Sequence, residues 1–95
     1  MSEQSSIRTE EYFYKVTIDG KNLENPLDEE EDYLVVKRAL RDLGYEVVNY
    51  ICNPVFIGLK LTGRISDLHR QALKGICTII EDESIREEMR NAEYF

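Results

Sequence analysis

The feature that most constrains the fold is the order in which strand-like and helix-like segments follow one another. Residues 12–19 read YFYKVTID, and apolar or aromatic side chains occupy every second position: Tyr12, Tyr14, Val16 and Ile18. Lys15, Thr17 and Asp19 fall on the opposite face, and this two-residue period is typical of a half-buried strand. Turn residues at 19–22 and Asn25-Pro26 predict a loop before the next element.

Two segments have helical periodicity. The first begins with carboxylates at 28–32, which suit the positive end of a helix dipole, and ends at Gly44. Its apolar residues recur at helical spacing: Tyr33, Val36, Leu40 and Leu43. The second begins at Ser66, a good N-cap, and covers 67–74 before Gly75. Its expected core residues are Ile65, Leu68, Ala72 and Leu73.

Three more segments favour strands. Residues 45–52 and 55–62 are rich in β-formers and flank Asn53-Pro54, which predicts a hairpin or a closely connected pair. Residues 76–81 form the last strand-like run. Gly58 lies inside the third strand, which indicates either a bulge or a surface that another backbone approaches closely.

The order β-α-β-β-α-β predicts an α+β domain of the split-βαβ, ferredoxin-like type. It has a four-stranded antiparallel sheet with both helices on one face. The first and third strands should be central. Cys52 and Cys77 should therefore lie on opposite edges as free thiols. We expect a flexible lead over 1–10, one domain over 11–82, and a tail over 83–95 that is extended or partly helical.

Composition narrows the function classes. Ninety-five residues suffice for one core, and a formal charge of -7 disfavours binding to nucleic acids or anionic membranes. The nearest basic candidates, Lys37, Arg38 and Arg41, follow a dense acidic run. No apolar stretch approaches a membrane span and no signal peptide is visible, which predicts a cytoplasmic protein.

The residues that could support chemistry are sparse. His69 is the single histidine and should be an exposed or half-exposed helix residue, so a catalytic triad or a metal site is not expected. No phosphate-binding glycine motif is present. The acidic run at 28–32 could bind a cation or a basic partner, but consecutive carboxylates fan around a helix, which favours a solvated turn. We therefore expect no enzyme, no cofactor and no metal.

The second half resembles the subtilisin propeptide-like protease inhibitor family. Three segments carry the resemblance: Phe56, Gly58 and Leu59 on a Phe-x-Gly-Phe strand; Leu68 and Leu73 on a short helix; and Gly75, Ile76, Ile79, Glu81 and Asp82 on a Gly-Val-x-x-Val strand that runs into Glu-Asp. The likeness covers roughly residues 45–82. The fold it implies is the same β-α-β-β-α-β sandwich.

The resemblance implies a mechanism of binding rather than catalysis. The open sheet face would dock on the surface helices of a subtilisin-like serine protease, with Glu81 and Asp82 near the N-termini of those helices. The segment after the last strand would enter the active-site cleft as an added strand. The implied partner-binding residues are Phe56, Gly58, Lys60, Glu81, Asp82, Tyr94 and Phe95.

The chain also departs from the family pattern. The helix-to-strand spacing is one residue shorter, Leu73-Lys74 replaces an Asp-Pro, and the tail is longer, with helical character at 84–90. The resemblance nevertheless leads us to expect a stand-alone inhibitor or folding partner of a subtilisin-type protease. The alternative is a ferredoxin-like interaction module or small-molecule-sensing regulatory module that acts as a dimer.

Overall fold

A computed structural model describes residues 10–92. It contains four strands, β1 Tyr12–Thr17, β2 Val47–Cys52, β3 Ile57–Leu61 and β4 Thr78–Glu81. Its helices are α1 Asp32–Asp42, α2 Asp67–Ala72 and α3 Ser84–Ala92. The first six elements follow the predicted β-α-β-β-α-β order, and α3 continues the chain after β4. The α+β, ferredoxin-like arrangement is therefore confirmed.

The strands form one antiparallel sheet in the order β2-β3-β1-β4. Tyr14 lies opposite Leu59 of β3 on one side and Glu81 of β4 on the other. The β2–β3 register shifts between Val47 and Asn49. As predicted, β1 and β3 are central. Cys52 ends one edge strand, Cys77 directly precedes the other, and both thiols are free.

The main core lies between the sheet and α1. Tyr33, Val36 and Leu40 are the buried side chains of α1, and they pack with Tyr14, Val16, Leu59 and Leu61 of the central strands. Gly44 ends the helical region with φ of 96°, a left-handed conformation that favours glycine. The predicted apolar spacing and helix stop are thus confirmed.

The acidic run lies mainly in front of α1 rather than in its first turn. The helix begins at Asp32, and residues 29–31 form a turn. The Asp28 carboxylate accepts hydrogen bonds from the backbone N–H groups of Glu30 and Glu31, at 2.7 and 3.1 Å. Such side-chain to backbone bonds offer the chain an alternative to helix, so the regular helix begins later than the carboxylates suggest.

The second helix contacts the core through residues that flank it. Ser66 is the N-cap, and its hydroxyl accepts from the His69 N–H at 3.2 Å. Ile65 and Leu73 are buried, whereas Leu68 is 74 % exposed and Ala72 is also exposed. The expectation that Leu68 and Ala72 join the core is wrong. Five residues separate Leu68 from Leu73, about 140° around a helix, so the two cannot share one narrow face.

A second, smaller cluster lies on the opposite face of the sheet. Phe13, Ile85 and Met89 are buried there, and Ile51 and Phe56 pack against them. The helix that closes this cluster is α3, so the segment predicted as extended or partly helical is helical from Ser84 to Ala92. The sheet face that was expected to be open is therefore covered by the chain's own C-terminal helix.

Candidate functional site

The third helix begins directly at the end of the sheet. The Asp82 N–H donates to the Phe13 carbonyl at 2.9 Å, which is the last link between β4 and β1. The Asp82 carboxylate then accepts from the Ser84 N–H at 3.0 Å and from the Ser84 hydroxyl at 2.7 Å. These two hydrogen bonds hold the pKa of Asp82 below its ordinary value of 3.8. Asp82 thus caps α3 of its own chain.

Only one narrow side of α3 is apolar. Ile85 and Met89, four residues apart, are 1 % and 3 % exposed and point at the sheet, while Glu87, Glu88 and Arg90 are exposed. We call the sheet surface beneath this helix the α3 face. It comprises Phe13 and Lys15 of β1, Ile51 of β2, Gly58 and Lys60 of β3, Ile80 of β4, and Phe56 at its margin.

Gly58 allows Ile85 to approach the sheet backbone. A Cβ atom on residue 58 would lie 2.8 Å from Cγ2 of Ile85 and 2.8 Å from Cγ1 of Ile51, closer than carbon atoms pack. Neither interpretation left open for this glycine holds as stated, because the close approach is made by the side chains of Ile85 and Ile51 rather than by another backbone. The register shift lies instead in β2, between Val47 and Asn49. The glycine is therefore part of the seat for α3.

Charged groups surround the apolar centre of the α3 face. The Glu11 carboxylate lies 3.1 Å from Lys60 Nζ and 3.3 Å from a guanidinium nitrogen of Arg86. The same guanidinium pairs with Glu83 at 3.1 Å and lies over the Phe13 ring, 4.5 Å from its centroid. Exposed ion pairs of this kind contribute at most about 1 kcal/mol each, so they orient α3 more than they hold it.

Part of the α3 face stays uncovered. The helix contacts β1, β3 and β2. Ile80 of β4 lies opposite Lys15 of β1, on the same face as Phe13, and its side chain is 54 % exposed. Lys15 itself extends over the Phe56 ring, with Nζ 4.9 Å from the centroid. The α3 face therefore continues beyond the helix to the β4 edge, where Ile80 is exposed beside Lys15.

The predicted partner-binding residues that the structure describes lie in three different places. Phe56, Gly58 and Lys60 lie together on the α3 face. Glu81 lies on the other face, opposite Tyr14, and pairs with Arg64 at 3.2 Å. Asp82 caps α3, and Tyr94 and Phe95 are outside the described residues. The structure thus brings together the β3 part of the predicted site and separates it from Glu81.

A polar cluster on the opposite side of the domain was not predicted. The Tyr45 hydroxyl lies 2.6 Å from His69 Nδ1 and accepts from the Ser66 N–H at 3.2 Å. His69 is half-buried, as expected. The Ser66 hydroxyl accepts from the His69 backbone rather than facing its ring. The partners are 21 and 24 positions apart, so no local pattern could have indicated this contact.

Three ionisable groups have pKa values raised above their ordinary values, which keeps them protonated at neutral pH. Burial raises the pKa of the Cys77 thiol to about 11. Burial, with the nearby Glu29, Asp32 and Asp28 carboxylates, also raises the pKa of Cys52. Thiolates are the reactive form, so neither cysteine is activated at neutral pH. The hydrogen bond to Glu29 raises the pKa of Tyr50 to about 12, so this phenol stays protonated.

Over residues 10–92, no group of three or more His, Cys, Asp or Glu side chains is arranged to hold a metal ion. Within the same range, no helix is long and apolar enough to cross a membrane. Comparison with protein-family models, with curated proteins and with solved structures found no match. The α3 face, with its predicted residues Phe56, Gly58 and Lys60, is the candidate functional site that these observations leave.

Proposed function

We propose that the protein is a binding module that docks on a protein partner through the α3 face once α3 has moved aside. The partner we propose is a subtilisin-type serine protease, which the chain inhibits or helps to fold. One observation supports this proposal most: the helix that covers the face is anchored by only two buried side chains, Ile85 and Met89. The resemblance of residues 45–82 to propeptide-like inhibitors supports the choice of protease.

The anchoring energy makes displacement of α3 feasible. Burial of one Ile or Met side chain contributes about 1.5–3 kcal/mol, so the two anchors together contribute about 3–6 kcal/mol. A free energy of that size keeps the helix docked in nearly all molecules of the free protein. It also lowers the apparent affinity for a competing partner by about 10²- to 10⁴-fold. A standard protein interface can supply this difference.

Removal of α3 uncovers a surface suited to a partner helix. Phe13, Ile51 and Phe56 then become exposed together, and Ile80 lies on the same sheet face beyond Lys15. Gly58 lets a side chain of the partner approach the backbone as Ile85 does. Lys60 and Glu11 remain at the margin to supply charge complementarity.

Displacement of α3 also releases the tail. Once unfolded, residues 83–95 extend away from the end of β4, and they reach the active-site cleft of the docked protease as an added strand. Tyr94 and Phe95 are the large side chains that fill its specificity pockets. One movement of the helix thereby creates both the docking surface and the inhibitory segment.

The test is a titration of the residual activity of a subtilisin-type protease with four proteins. They are the full chain, the double variant Ile85→Ser/Met89→Ser, the matched control Glu87→Ser/Glu88→Ser, and a chain that ends at Ala92. We expect stoichiometric inhibition by the full chain and tighter inhibition by the anchor variant, by up to about 10²–10⁴-fold. The matched control alters two exposed positions of the same helix and should behave as the full chain does.

The chain that ends at Ala92 separates docking from inhibition. It keeps α3 but lacks Tyr94 and Phe95, so it should compete with the full chain for the protease without blocking the active site. Absence of inhibition by both the full chain and a folded anchor variant would reject the protease as partner. Equal inhibition by all four proteins would reject the displacement of α3.

A further inference from the structure

A cleft lies on the far side of the domain from the α3 face, where α1 ends and β2 begins. Its walls are Lys37, Arg41, Gly44, Tyr45, Glu46 and Val47, and its volume is about 460 Å³. This volume falls within the range of sites that bind small molecules. The cleft shares no residue with the α3 face, so binding of a ligand in it does not depend on the proposed function.

The two cations of this cleft have no carboxylate partner among the residues that the structure describes. Among residues 10–92, most other basic side chains lie within 4 Å of a carboxylate: Lys21, Lys60, Arg64, Arg70, Arg86 and Arg90. Lys37 and Arg41 make no such ion pair within that part of the chain, although the protein carries a net charge of -7. They are one helical turn apart on α1, so both charges point to one side.

A negative charge, that of Glu46, lies in the same cleft as Lys37 and Arg41. Glu46 contributes to the wall, and within the described residues it pairs with neither Lys37 nor Arg41 at 4 Å. Tyr45 and Val47 supply the apolar part of the lining. The cleft therefore combines a cationic side, an anionic side and an apolar surface.

Two backbone carbonyls at this end of α1 accept hydrogen bonds within the turn. The Leu40 carbonyl accepts from the N–H groups of Leu43 and Tyr45, at 3.1 and 2.9 Å, and the Arg41 carbonyl accepts from Gly44 at 3.0 Å. The negative end of the helix dipole still disfavours an anion here, so a bound carboxylate depends on the side-chain charges of Lys37 and Arg41.

Tyr45 is held in place before any ligand arrives. Its hydroxyl accepts from the Ser66 N–H and contacts His69 Nδ1, and its ring packs edge-on against the histidine ring at 5.4 Å. A fixed aromatic wall loses little conformational entropy on binding. The Tyr45–His69 contact is not arranged for catalysis, but it fixes the aromatic wall of the cleft.

We propose that this cleft binds a free α-amino acid with an apolar side chain. The α-carboxylate pairs with Lys37 and Arg41, the α-ammonium group pairs with Glu46, and the side chain packs on Tyr45 and Val47. A zwitterion matches the two separated charges, whereas a simple anion or cation matches only one. The site therefore discriminates by the presence of both charged groups on one small molecule.

The test measures amide chemical shifts of the full chain by NMR during titration with L-leucine and L-phenylalanine. N-acetyl-L-leucine, which lacks the ammonium group, and L-leucinamide, which lacks the carboxylate, are the comparison probes. We expect saturable shifts centred on residues 44–47 with the free amino acids. Each comparison probe should bind about threefold to fivefold more weakly, because each forfeits one exposed charged contact of at most about 1 kcal/mol.

Variants locate the two charge contacts. Arg41→Gln should weaken L-leucine binding about threefold to fivefold, and Glu46→Gln should remove the preference for L-leucine over N-acetyl-L-leucine. Arg38→Gln is the matched control, because Arg38 lies on the same helix, likewise without an ion pair among residues 10–92, yet is not part of the cleft wall. Unsaturable shifts with both amino acids, or equal weakening by Arg41→Gln and Arg38→Gln, would overturn the proposal.

Discussion

The two faces of the sheet are covered in different ways. Among the described residues, thirteen buried side chains from the sheet, α1, the flanks of α2 and the connecting segments form the core on one face, whereas three form the cluster on the other. β1 contributes to both, because Tyr14 and Val16 point to the main core and Phe13 points to α3. One face is thus closed by long-range packing, and the other by a single terminal helix.

The two faces also differ in how far a local change can spread. α1 lies between β1 and β2 in the sequence, and its buried side chains pack on the central strands. Unfolding of α1 would therefore expose the main core. α3 follows β4 and is the last element of the described chain, so it can detach while β1–β3 pairing persists. Elements with few buried contacts at one end of a fold are the first to open in native proteins. The comparison indicates that α3 forms a separate, weaker unit.

The largest expected effect comes from matched truncations on the two faces. Leu40→Ala in α1 should lower the free energy of unfolding by about 2–5 kcal/mol, because Leu40 is fully buried and the cavity cannot collapse. Met89→Ala in α3 should instead lower the local opening free energy of α3. Native-state hydrogen exchange distinguishes the two, since Met89→Ala should expose α3 amides while those of β1 and β3 keep more of their protection.

The same exchange data can disprove the claim that α3 is a unit separate from the main core. If both variants reduce the protection of sheet and α3 amides to the same extent, α3 belongs to one cooperative unit with the main core. Displacement by a partner would then require unfolding of the domain, and the proposed docking mechanism would fail.

The next largest effect is expected for Gly58, which lies beneath Ile85 of α3. Gly58→Ala places a Cβ within 2.8 Å of Ile85 and Ile51, so it should destabilise α3 docking by about 1–3 kcal/mol. Ile85→Ala removes the Cγ2 atom that the new Cβ meets. A double-mutant cycle in urea should therefore show that Gly58→Ala costs clearly less in the Ile85→Ala background. Additive effects would mean that the glycine serves only the geometry of β3.

The main core could be predicted because most of its apolar residues recur at strand or helix spacing along the sequence. The two-residue period of β1, the helical spacing of Tyr33, Val36 and Leu40, and the stop at Gly44 are all properties of neighbouring residues. Each element then has one strongly apolar face, and the β-α-β-β-α-β order leaves few ways to bring those faces together. The sheet order follows from that.

The α3 face could not be predicted in the same way. The spacing of Ile85 and Met89 has the helical period, but the two-residue period of β1 predicted a half-buried strand, whereas the structure also buries Phe13 on the other face. Neither pattern says where a short terminal helix packs. Gly58 required a choice between a bulge and close contact, and only the position of Ile85 decides it. The Tyr45–His69 contact likewise depends on tertiary structure.

The smallest expected effect concerns the cap of α3 and its dependence on pH. The pKa of Asp82 is lower in the folded state, so its contribution to α3 is fully present above the ordinary value of 3.8 and is lost as pH falls through the folded pKa. Asp82→Ala should lower α3 stability by about 1 kcal/mol at neutral pH. Asp82→Asn should retain most of the cap, because an amide oxygen can still accept from Ser84.

Comparison of the asparagine variant with the natural chain isolates this one carboxylate. Both proteins keep Glu11 and Glu83, which pair with Arg86, so the contribution of these ion pairs cancels in the difference. The natural chain should therefore lose more α3 protection than Asp82→Asn between neutral pH and pH values below that of an ordinary aspartate. Identical acid profiles would show that the cap acts by geometry alone. A loss confined to the α3 amides would separate this helix from the main core, as the contrast between the two faces requires.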